Sequence, residues 1–207
     1  MNFPRILKKR KGYIDRIKPF MQKSVAKVLT GQRRVGKSFL LYQLIEEILA
    51  EEPDANIIYV NLEDFTFSSL QTAEDLHSYI ISHSKEKVKN YIFIDEIQDI
   101  PGFEKVIRSL LLNEDNDIYI TGSNAKMLSG ELATYLSGRY IEFKIYSLSY
   151  SEFLEFHGLT ESETSYELYS RYGGLPYLLN LPLEDETVNE YLKSVYSTIC
   201  LLYTSPS

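Results

Sequence analysis

The first chemical pattern in the sequence is the run Gly31-Gln32-Arg33-Arg34-Val35-Gly36-Lys37-Ser38, which fills every fixed position of the phosphate-binding pattern Gly-x4-Gly-Lys-Ser/Thr. The glycines allow the backbone to curl so that its N–H groups point toward phosphate, and the helix expected to begin near Lys37 offers its positive end to the same anion. We expect Lys37 to reach the β- and γ-phosphates of a nucleotide and the Ser38 hydroxyl to bind Mg²⁺. With Phe39 in the first helical turn, residues 31–39 are the predicted nucleotide-binding segment.

Two carboxylates, Asp95 and Glu96, directly follow the apolar run Tyr91–Ile94. Such a run predicts a strand covered on both faces, and ligands of parallel sheets bind at the carboxyl ends of their strands. We expect Asp95 to hold Mg²⁺ together with Ser38, and Glu96 to orient and polarise the attacking water. A strand that merely ends in a charged turn would look the same, but the intact phosphate loop upstream favours the catalytic interpretation. Lys37, Asp95 and Glu96 are therefore predicted to be catalytic.

Three further places in the sequence carry weaker signals. Ser123 and Asn124 follow the fourth predicted strand, where a polar side chain could sense the γ-phosphate or simply form a turn and a helix cap. Arg139 opens the fifth predicted strand and could stabilise the transferring phosphoryl group, from its own chain or a neighbouring subunit, or form a surface ion pair. The segment Gly173-Gly174-Leu175-Pro176 could place Pro176 against the adenine or only break a helix.

Strands and helices alternate along residues 24–147, and this alternation is what would position the candidate site. Strands are predicted at 25–30, 56–62, 91–95, 117–121 and 139–145, and helices from residue 37 to the acidic stretch beginning at 51, then at 73–83, 103–112 and 127–136. The pattern favours an α/β fold with a five-stranded parallel sheet flanked by helices. Residues 148–198 contain only predicted helices, at 149–157, 163–172 and 187–199, which indicates a small C-terminal helical lid.

Composition and length restrict the classes of protein to consider. The 207 residues suffice for one α/β domain and a small second unit. The single cysteine, Cys200, excludes an intrachain disulfide and favours a reducing compartment. No apolar run reaches the ~20 residues that span a bilayer, and no signal-peptide core follows the N-terminus. We therefore expect a cytoplasmic protein without a membrane segment.

The charge of the chain is unevenly distributed, although its net value is −7. Residues 1–38 contain 12 of the 22 Lys and Arg residues, and residues 1–23 form a distinct basic N-terminal segment. The basic residues 1–38 could be a solvated surface whose Arg33, Arg34 and Lys37 lie near the nucleotide phosphates, or they could contact nucleic acid through Lys8–Lys11. The acidic remainder of the chain would repel a phosphate backbone, which favours the first interpretation.

Several short motifs together resemble one family. In order they are Gly31–Ser38, Ile94-Asp95-Glu96-Ile97-Gln98, Ile120-Thr121-Gly122-Ser123-Asn124, Leu136–Arg139, Tyr146–Ser149, Glu152-Phe153 and Tyr172–Pro176. Over roughly residues 10–195 they resemble prokaryotic AAA-type ATPases related to the STAND ATPases. The resemblance implies a five-stranded AAA core, ATP as the nucleotide, a helical segment, and usually a further C-terminal domain of unknown function. Because residues 199–207 depart from the expected continuation, we expect an N-terminal fragment with a truncated or non-native tail.

The leading functional hypothesis is an ATP hydrolase that uses Mg²⁺ and acts as a switch or motor for an unidentified partner. A nucleic-acid-binding module gated by ATP is one alternative, and an ATP-bound scaffold without significant hydrolysis is another. The expected partners are ATP, possible further copies of the chain, and a DNA or protein partner that the sequence does not identify.

Overall fold

The computed structural model describes residues 8–123 and 135–204, and the chain divides into two compact units, Met1–Ile145 and Tyr146–Ser207. The boundary proposed near residue 147 lies close to this division. The elements described in the first unit are α1 (Lys11–Ile17), β1 (Ala26–Gly31), α2 (Lys37–Glu51), β2 (Asn56–Asn61), α3 (Ala73–His83), β3 (Asn90–Asp95), α4 (Phe103–Leu110), β4 (Asn116–Ser123) and β5 (Tyr140–Ile145), with short 3-10 turns at Lys18–Phe20, Phe65–Phe67 and Ile97–Asp99.

The five strands form one parallel sheet in the order β2-β3-β4-β1-β5, which confirms the predicted α/β class. Every strand boundary lies within two residues of its predicted position, and the largest difference is at the end of β4. The sequence predicts a loop at Gly122 and Ser123, but both residues belong to β4, because their backbone still pairs with Thr30 and Gly31 of β1. The fifth strand begins at Tyr140, one residue after the predicted position. The helix predicted at 127–136 lies mostly outside the described residues.

The sheet is covered on both faces, as its apolar strands predict. Every residue of β1 and β3 is buried. Alternate residues face opposite layers: Val28 and Ile94 pack with apolar residues of α3 and α4, whereas Leu29 and Phe93 pack with α1 and α2. This alternation follows from the two-residue period of a strand, and it fixes which side chains at the strand ends face the helix that follows the phosphate loop.

The N-terminal segment packs against α2 from residue 8 onward. Ile14 and Ile17 of α1 are buried in the same layer as the apolar side of α2. Gln43 of α2 joins the two segments through both ends of its amide, because its oxygen accepts the Arg10 N–H at 2.9 Å and its nitrogen donates to the Lys8 carbonyl at 2.9 Å. The described part of the basic segment is therefore a packed element of the first unit.

The second unit consists of α5 (Tyr150–His157), α6 (Glu163–Tyr172), a 3-10 turn (Pro176–Asn180) and α7 (Asp185–Thr204). The predicted end of the last helix at residue 199 is wrong, because the stretch up to Thr204 contains neither glycine nor proline to stop it. Gly174 lies against Leu148: its carbonyl accepts the Leu148 N–H at 2.7 Å, and a Cβ added to it would lie 2.2 Å from the Leu148 carbonyl oxygen. Among the described helices, none has the length and apolar character that crossing a membrane requires.

Candidate functional site

The phosphate loop lies between the end of β1 and the start of α2. Gly31 is the last residue of β1, and a Cβ at this position would lie 2.3 Å from the carbonyl oxygen of Ile145 on β5. Only glycine fits at that distance, which explains the first fixed position of the sequence pattern. Arg34 and Gly36 have φ angles of 69° and 94°, so the chain turns sharply before α2 begins at Lys37.

Lys37 is directed back across this loop and toward the end of β3. Its Nζ donates to the carbonyl oxygens of Gly31 at 3.2 Å and Gln32 at 3.3 Å, and lies 3.5 Å from Oε1 of Glu96. The residue is only 4% exposed. Of the remaining loop residues, Gln32, Arg33 and Arg34 are exposed and Val35 is buried. An ammonium group held beside curled backbone can bind a phosphate as a point charge.

Asp95 is the last residue of β3 and is 1% exposed. Its carboxylate accepts hydrogen bonds from the hydroxyls of Ser38, Thr121 and Tyr59, the last at 3.3 Å. Burial raises the pKa of Asp95, and the hydrogen bonds from Thr121 and Ser38 oppose that rise. A hydroxyl and a carboxylate oxygen brought together in this way are the ligand types that Mg²⁺ prefers, so the donor set of Ser38 and Asp95 fits this ion.

Glu96 follows Asp95 in a left-handed backbone conformation, with φ 56° and ψ 47°. This conformation is uncommon for residues with a side chain and is found where the surroundings impose it. Both carboxylate oxygens have a neighbour, because Oε2 accepts from the Gln98 amide at 2.7 Å and Oε1 lies beside Lys37. The backbone N–H of Glu96 donates to the Thr121 hydroxyl at 3.0 Å. Glu96 is thus held beside the lysine predicted to bind phosphate and the predicted magnesium ligand.

Comparison with known proteins agrees with this geometry. A family model described as AAA domain matches residues 23–154, which is more than half of the chain. The chain belongs to the AAA domain family. The predicted resemblance to AAA-type P-loop ATPases is thereby confirmed, and with it a function of the ATP-binding type.

Relatives of this AAA domain are found among both sequences and solved structures. An uncharacterized protein of Haemophilus influenzae is 39% identical over 204 residues, which cover 93% of this chain and 49% of that protein, so the chain spans about half of its length. Domain III of the Thermotoga maritima replication initiation protein DnaA aligns with a TM-score of 0.56 and 14% identity, over 84% of this chain and 82% of that one. The Aeropyrum pernix ORC1 protein, solved in complex with DNA, aligns with a TM-score of 0.53 and 13% identity, over 93% of this chain and 66% of that one. At these identities the two structures show a shared fold only.

Sequence reasoning missed three residues near the AAA domain's carboxylates. Thr121 contacts the Asp95 carboxylate and the Glu96 backbone, Gln98 contacts the Glu96 carboxylate, and both lie inside motifs that carry the family resemblance. Glu63 follows β2, and its pKa is raised by burial and by the charges of Glu96 and Asp95. Glu63 could have been found from its place just after a predicted strand. Parallel strands end at the same edge of the sheet, so the residues that follow them lie near one another.

The AAA domain does not bring Arg139 to the phosphate loop. Arg139 is exposed and directly precedes β5, and its carbonyl accepts the N–H of Ala26 at the start of β1 at 2.9 Å. The phosphate loop follows the other end of β1, so Arg139 lies at the opposite edge of the sheet. Its proposed action on phosphate within the same chain has no geometric support, and action from a neighbouring subunit remains a prediction.

The other weaker candidates of the AAA domain lie in different places. Phe39 is half-exposed in the first turn of α2, and Ser123 pairs in backbone register with Gly31 of the phosphate loop. Asn124 lies outside the described residues. Pro176 begins the 3-10 turn of the second unit. Its proposed contact with the adenine remains a prediction.

Proposed function

We propose that this AAA domain binds ATP together with Mg²⁺ at residues 31–38 and hydrolyses it, as a switch or motor for a partner. One observation carries the proposal. The amine of Lys37 lies 3.5 Å from the carboxylate of Glu96, and the adjoining Asp95 shares a hydrogen bond with Ser38. The candidate phosphate-binding cation, the two candidate magnesium ligands and the candidate base therefore meet at one edge of the sheet.

Each residue has a distinct role in the proposed reaction. The loop N–H groups and Lys37 would bind the phosphates, and Ser38 and Asp95 would hold Mg²⁺, which neutralises phosphate charge. Glu96 would orient a water molecule and accept its proton while the water oxygen bonds to the γ-phosphorus. The bond between that phosphorus and the β–γ bridging oxygen breaks, and ADP and inorganic phosphate leave. Because little covalent chemistry falls to the protein, its main contribution is the positioning of these groups.

The substitution Glu96→Gln tests the proposal, because it removes the proton-accepting charge and preserves the shape of the side chain. We expect ATP binding close to that of the wild type, and phosphate release from Mg-ATP slower by about 10²- to 10⁴-fold. Isothermal titration and a phosphate-release assay measure the two quantities. Glu114→Gln, an exposed carboxylate before β4, is the matched control and should change neither.

The same assays on Lys37→Ala separate binding from turnover. Loss of its charge-assisted contacts should weaken ATP binding by at least about 10-fold, whereas the exposed Lys105→Ala should leave it unchanged. Normal ATP binding by Lys37→Ala would contradict the proposed phosphate site. A wild-type protein that binds ATP tightly but releases no phosphate would favour the scaffold alternative.

The nucleic-acid alternative receives less support from the described part of the basic segment. Lys9 forms an ion pair with Glu47 at 2.6 Å, and Arg10 is buried with its guanidinium donating to the Val35 carbonyl at 3.3 Å. Lys9 and Arg10 are thus engaged within the chain. Among the structural relatives, ORC1 was solved with DNA, which is a property of that protein.

A further inference from the structure

Thr121 of β4 lies between the two carboxylates of the proposed site. It is fully buried, its hydroxyl donates to Oδ1 of Asp95, and its oxygen accepts the backbone N–H of Glu96 at 3.0 Å. A hydroxyl has a single proton to donate, and here that proton is directed at the predicted magnesium ligand. One side chain therefore contacts both the proposed metal ligand and the residue that carries the proposed base.

The sheet explains why a side chain is needed at this point. Backbone register between β3 and β4 ends at the pair Ile94 and Ile120, because the chain leaves β3 through the left-handed turn at Glu96. On its other side β4 continues in register with β1, where Thr121 pairs with Leu29. The backbone of Thr121 is thus fixed by β1. Its hydroxyl bonds to the end of β3, where the backbone pairing between β3 and β4 has ended.

We propose that Thr121 is a positioning residue that couples the magnesium site to the general base. Its hydroxyl orients the Asp95 carboxylate and also holds the left-handed backbone of Glu96. Both carboxylates therefore keep their positions relative to the Lys37 amine. This inference rests on the proposed function. The described hydrogen bonds of the Thr121 hydroxyl join it to Asp95 and Glu96. Loss of this hydroxyl should therefore impair the action of the metal and the base more than the binding of phosphate.

A purely structural role for the hydroxyl makes a different prediction. A buried donor or acceptor left without a partner destabilises any fold, and this cost would appear wherever in the sheet a hydroxyl was removed. Tyr119, two residues earlier on the same face of β4, provides the comparison, because its buried hydroxyl donates to the buried carboxylate of Asp117 at 2.8 Å. Tyr119→Phe removes an equivalent bond away from Asp95 and Glu96.

The test compares Thr121→Val, which keeps the shape without the hydroxyl, with Thr121→Ser, which keeps the hydroxyl. ATP affinity is measured by titration calorimetry in excess Mg²⁺ and in EDTA, and phosphate release gives kcat. For Thr121→Val we expect kcat to fall by about 10- to 100-fold. The increase in ATP affinity that Mg²⁺ provides should fall by the same factor, about 10- to 100-fold, while the ATP affinity measured in EDTA is unchanged. Thr121→Ser should stay within about threefold of the wild type, and Tyr119→Phe should lose thermal stability without losing the effect of Mg²⁺.

The outcomes separate the inference from the function on which it rests. A Thr121→Val protein with the wild-type response to Mg²⁺ and the wild-type kcat overturns the inference and leaves the ATPase proposal intact, and so does a Thr121→Ser protein as impaired as Thr121→Val. If Thr121→Val does not fold, Thr121→Cys replaces it, because a thiol is a weaker donor and should give values below those of Thr121→Ser. A wild-type protein that binds no ATP overturns both proposals.

Discussion

Lys27 of β1 and Asp117 of β4 form a fully buried ion pair. Asp117 also accepts the Tyr119 hydroxyl and the Gln22 N–H, each at 2.8 Å, and the Lys27 amine lies 4.6 Å from the centre of the Tyr119 ring. Burial lowers the pKa of Lys27, and the charge of Asp117 opposes that shift. Such a pair contributes little net stability compared with apolar residues, but the loss of one partner leaves a buried charge alone.

Asp117→Asn tests this interaction at the scale of the single residue. We expect the free energy of unfolding at pH 7 to fall by about 3–5 kcal/mol, because Lys27 would keep its charge without its partner. Without Asp117 the folded-state pKa of Lys27 should be lower still, while the unfolded value stays near 10.5. The unfolded state then binds more protons than the folded state between these two values, so the deficit should shrink as the pH rises from 7 toward 10.

Urea denaturation at several pH values measures this deficit. Lys9→Gln is the control, because Lys9 belongs to a half-exposed ion pair and should cost no more than about 1 kcal/mol at any of these values. A deficit for Asp117→Asn that stays constant over the pH range would contradict the assignment of the effect to Lys27.

At the residue scale, the sequence was informative where chemistry and spacing are local. The phosphate loop needs particular residues at fixed positions within a short run, so its members could be named from the sequence alone. The hydrogen bonds of Thr121 depend on the register between β3 and β4, and the proximity of Glu63 to Glu96 depends on how β2 and β3 end. Contacts of this kind join distant parts of the chain and leave no periodic signal in it.

At the scale of elements, local signals account for the accurate boundaries. The predicted helix at 73–83 begins where Thr72 and Asp75 form a reciprocal capping box, and α5 begins with the same arrangement of Ser149 and Glu152. The end of β4 was missed because it depends on pairing with β1, and pairing partners are not visible in a strand's own sequence. Helix caps can be predicted from residues close in sequence, whereas the length of a strand depends on the strand with which it pairs.

The contact between the N-terminal segment and the phosphate loop also belongs to this scale. Arg10 lies over the ring of Tyr13, with 4.5 Å from its guanidinium carbon to the ring centre, and donates to the carbonyl of Val35 within the phosphate loop. Gln43 bonds to the backbone N–H of this arginine and to the carbonyl of Lys8, two residues earlier. The segment before β1 thus supports the loop from outside, and the buried amide of Gln43 is one of the contacts that dock it.

Gln43→Met should release this segment, because methionine has a similar volume but cannot bond to the Arg10 N–H or the Lys8 carbonyl. Each unsatisfied backbone group costs about 1–3 kcal/mol if it stays buried, which favours opening of the segment. Limited trypsin digestion should then cleave after residues 8–11 at least about tenfold faster than in the wild type, because about 1.4 kcal/mol is a tenfold change in the open population. Gln71→Met, at an exposed position, is the control, and equal cleavage rates in both variants would contradict the docking role.

At the scale of the whole molecule, the sequence predicted the order of the elements and the sheet but left open how many chains make one active site. The position of Arg139 bears on that question. Tyr140 pairs with Ala26 and Ile145 with Gly31, so the length of β5, about 17 Å, separates Arg139 from the level of the phosphate loop. An arginine so placed can act on a phosphate only from another copy of the chain, as arginine fingers supplied in trans do.

A mixing experiment decides whether Arg139 acts in this way. Arg139→Ala keeps Glu96 and lacks the arginine, whereas Glu96→Gln keeps the arginine and lacks the base, so each protein alone should release phosphate slowly. If Arg139 acts between subunits, an equal mixture at high protein concentration should recover up to about one quarter of the wild-type rate, because one site in four combines an intact Glu96 with an intact neighbouring Arg139. Arg108→Ala, at an exposed arginine of α4, replaces Arg139→Ala in the control mixture and should show full activity on its own. A mixture with only the summed rates of its components would leave Arg139 as a surface residue and the proposed site as one completed within a single chain.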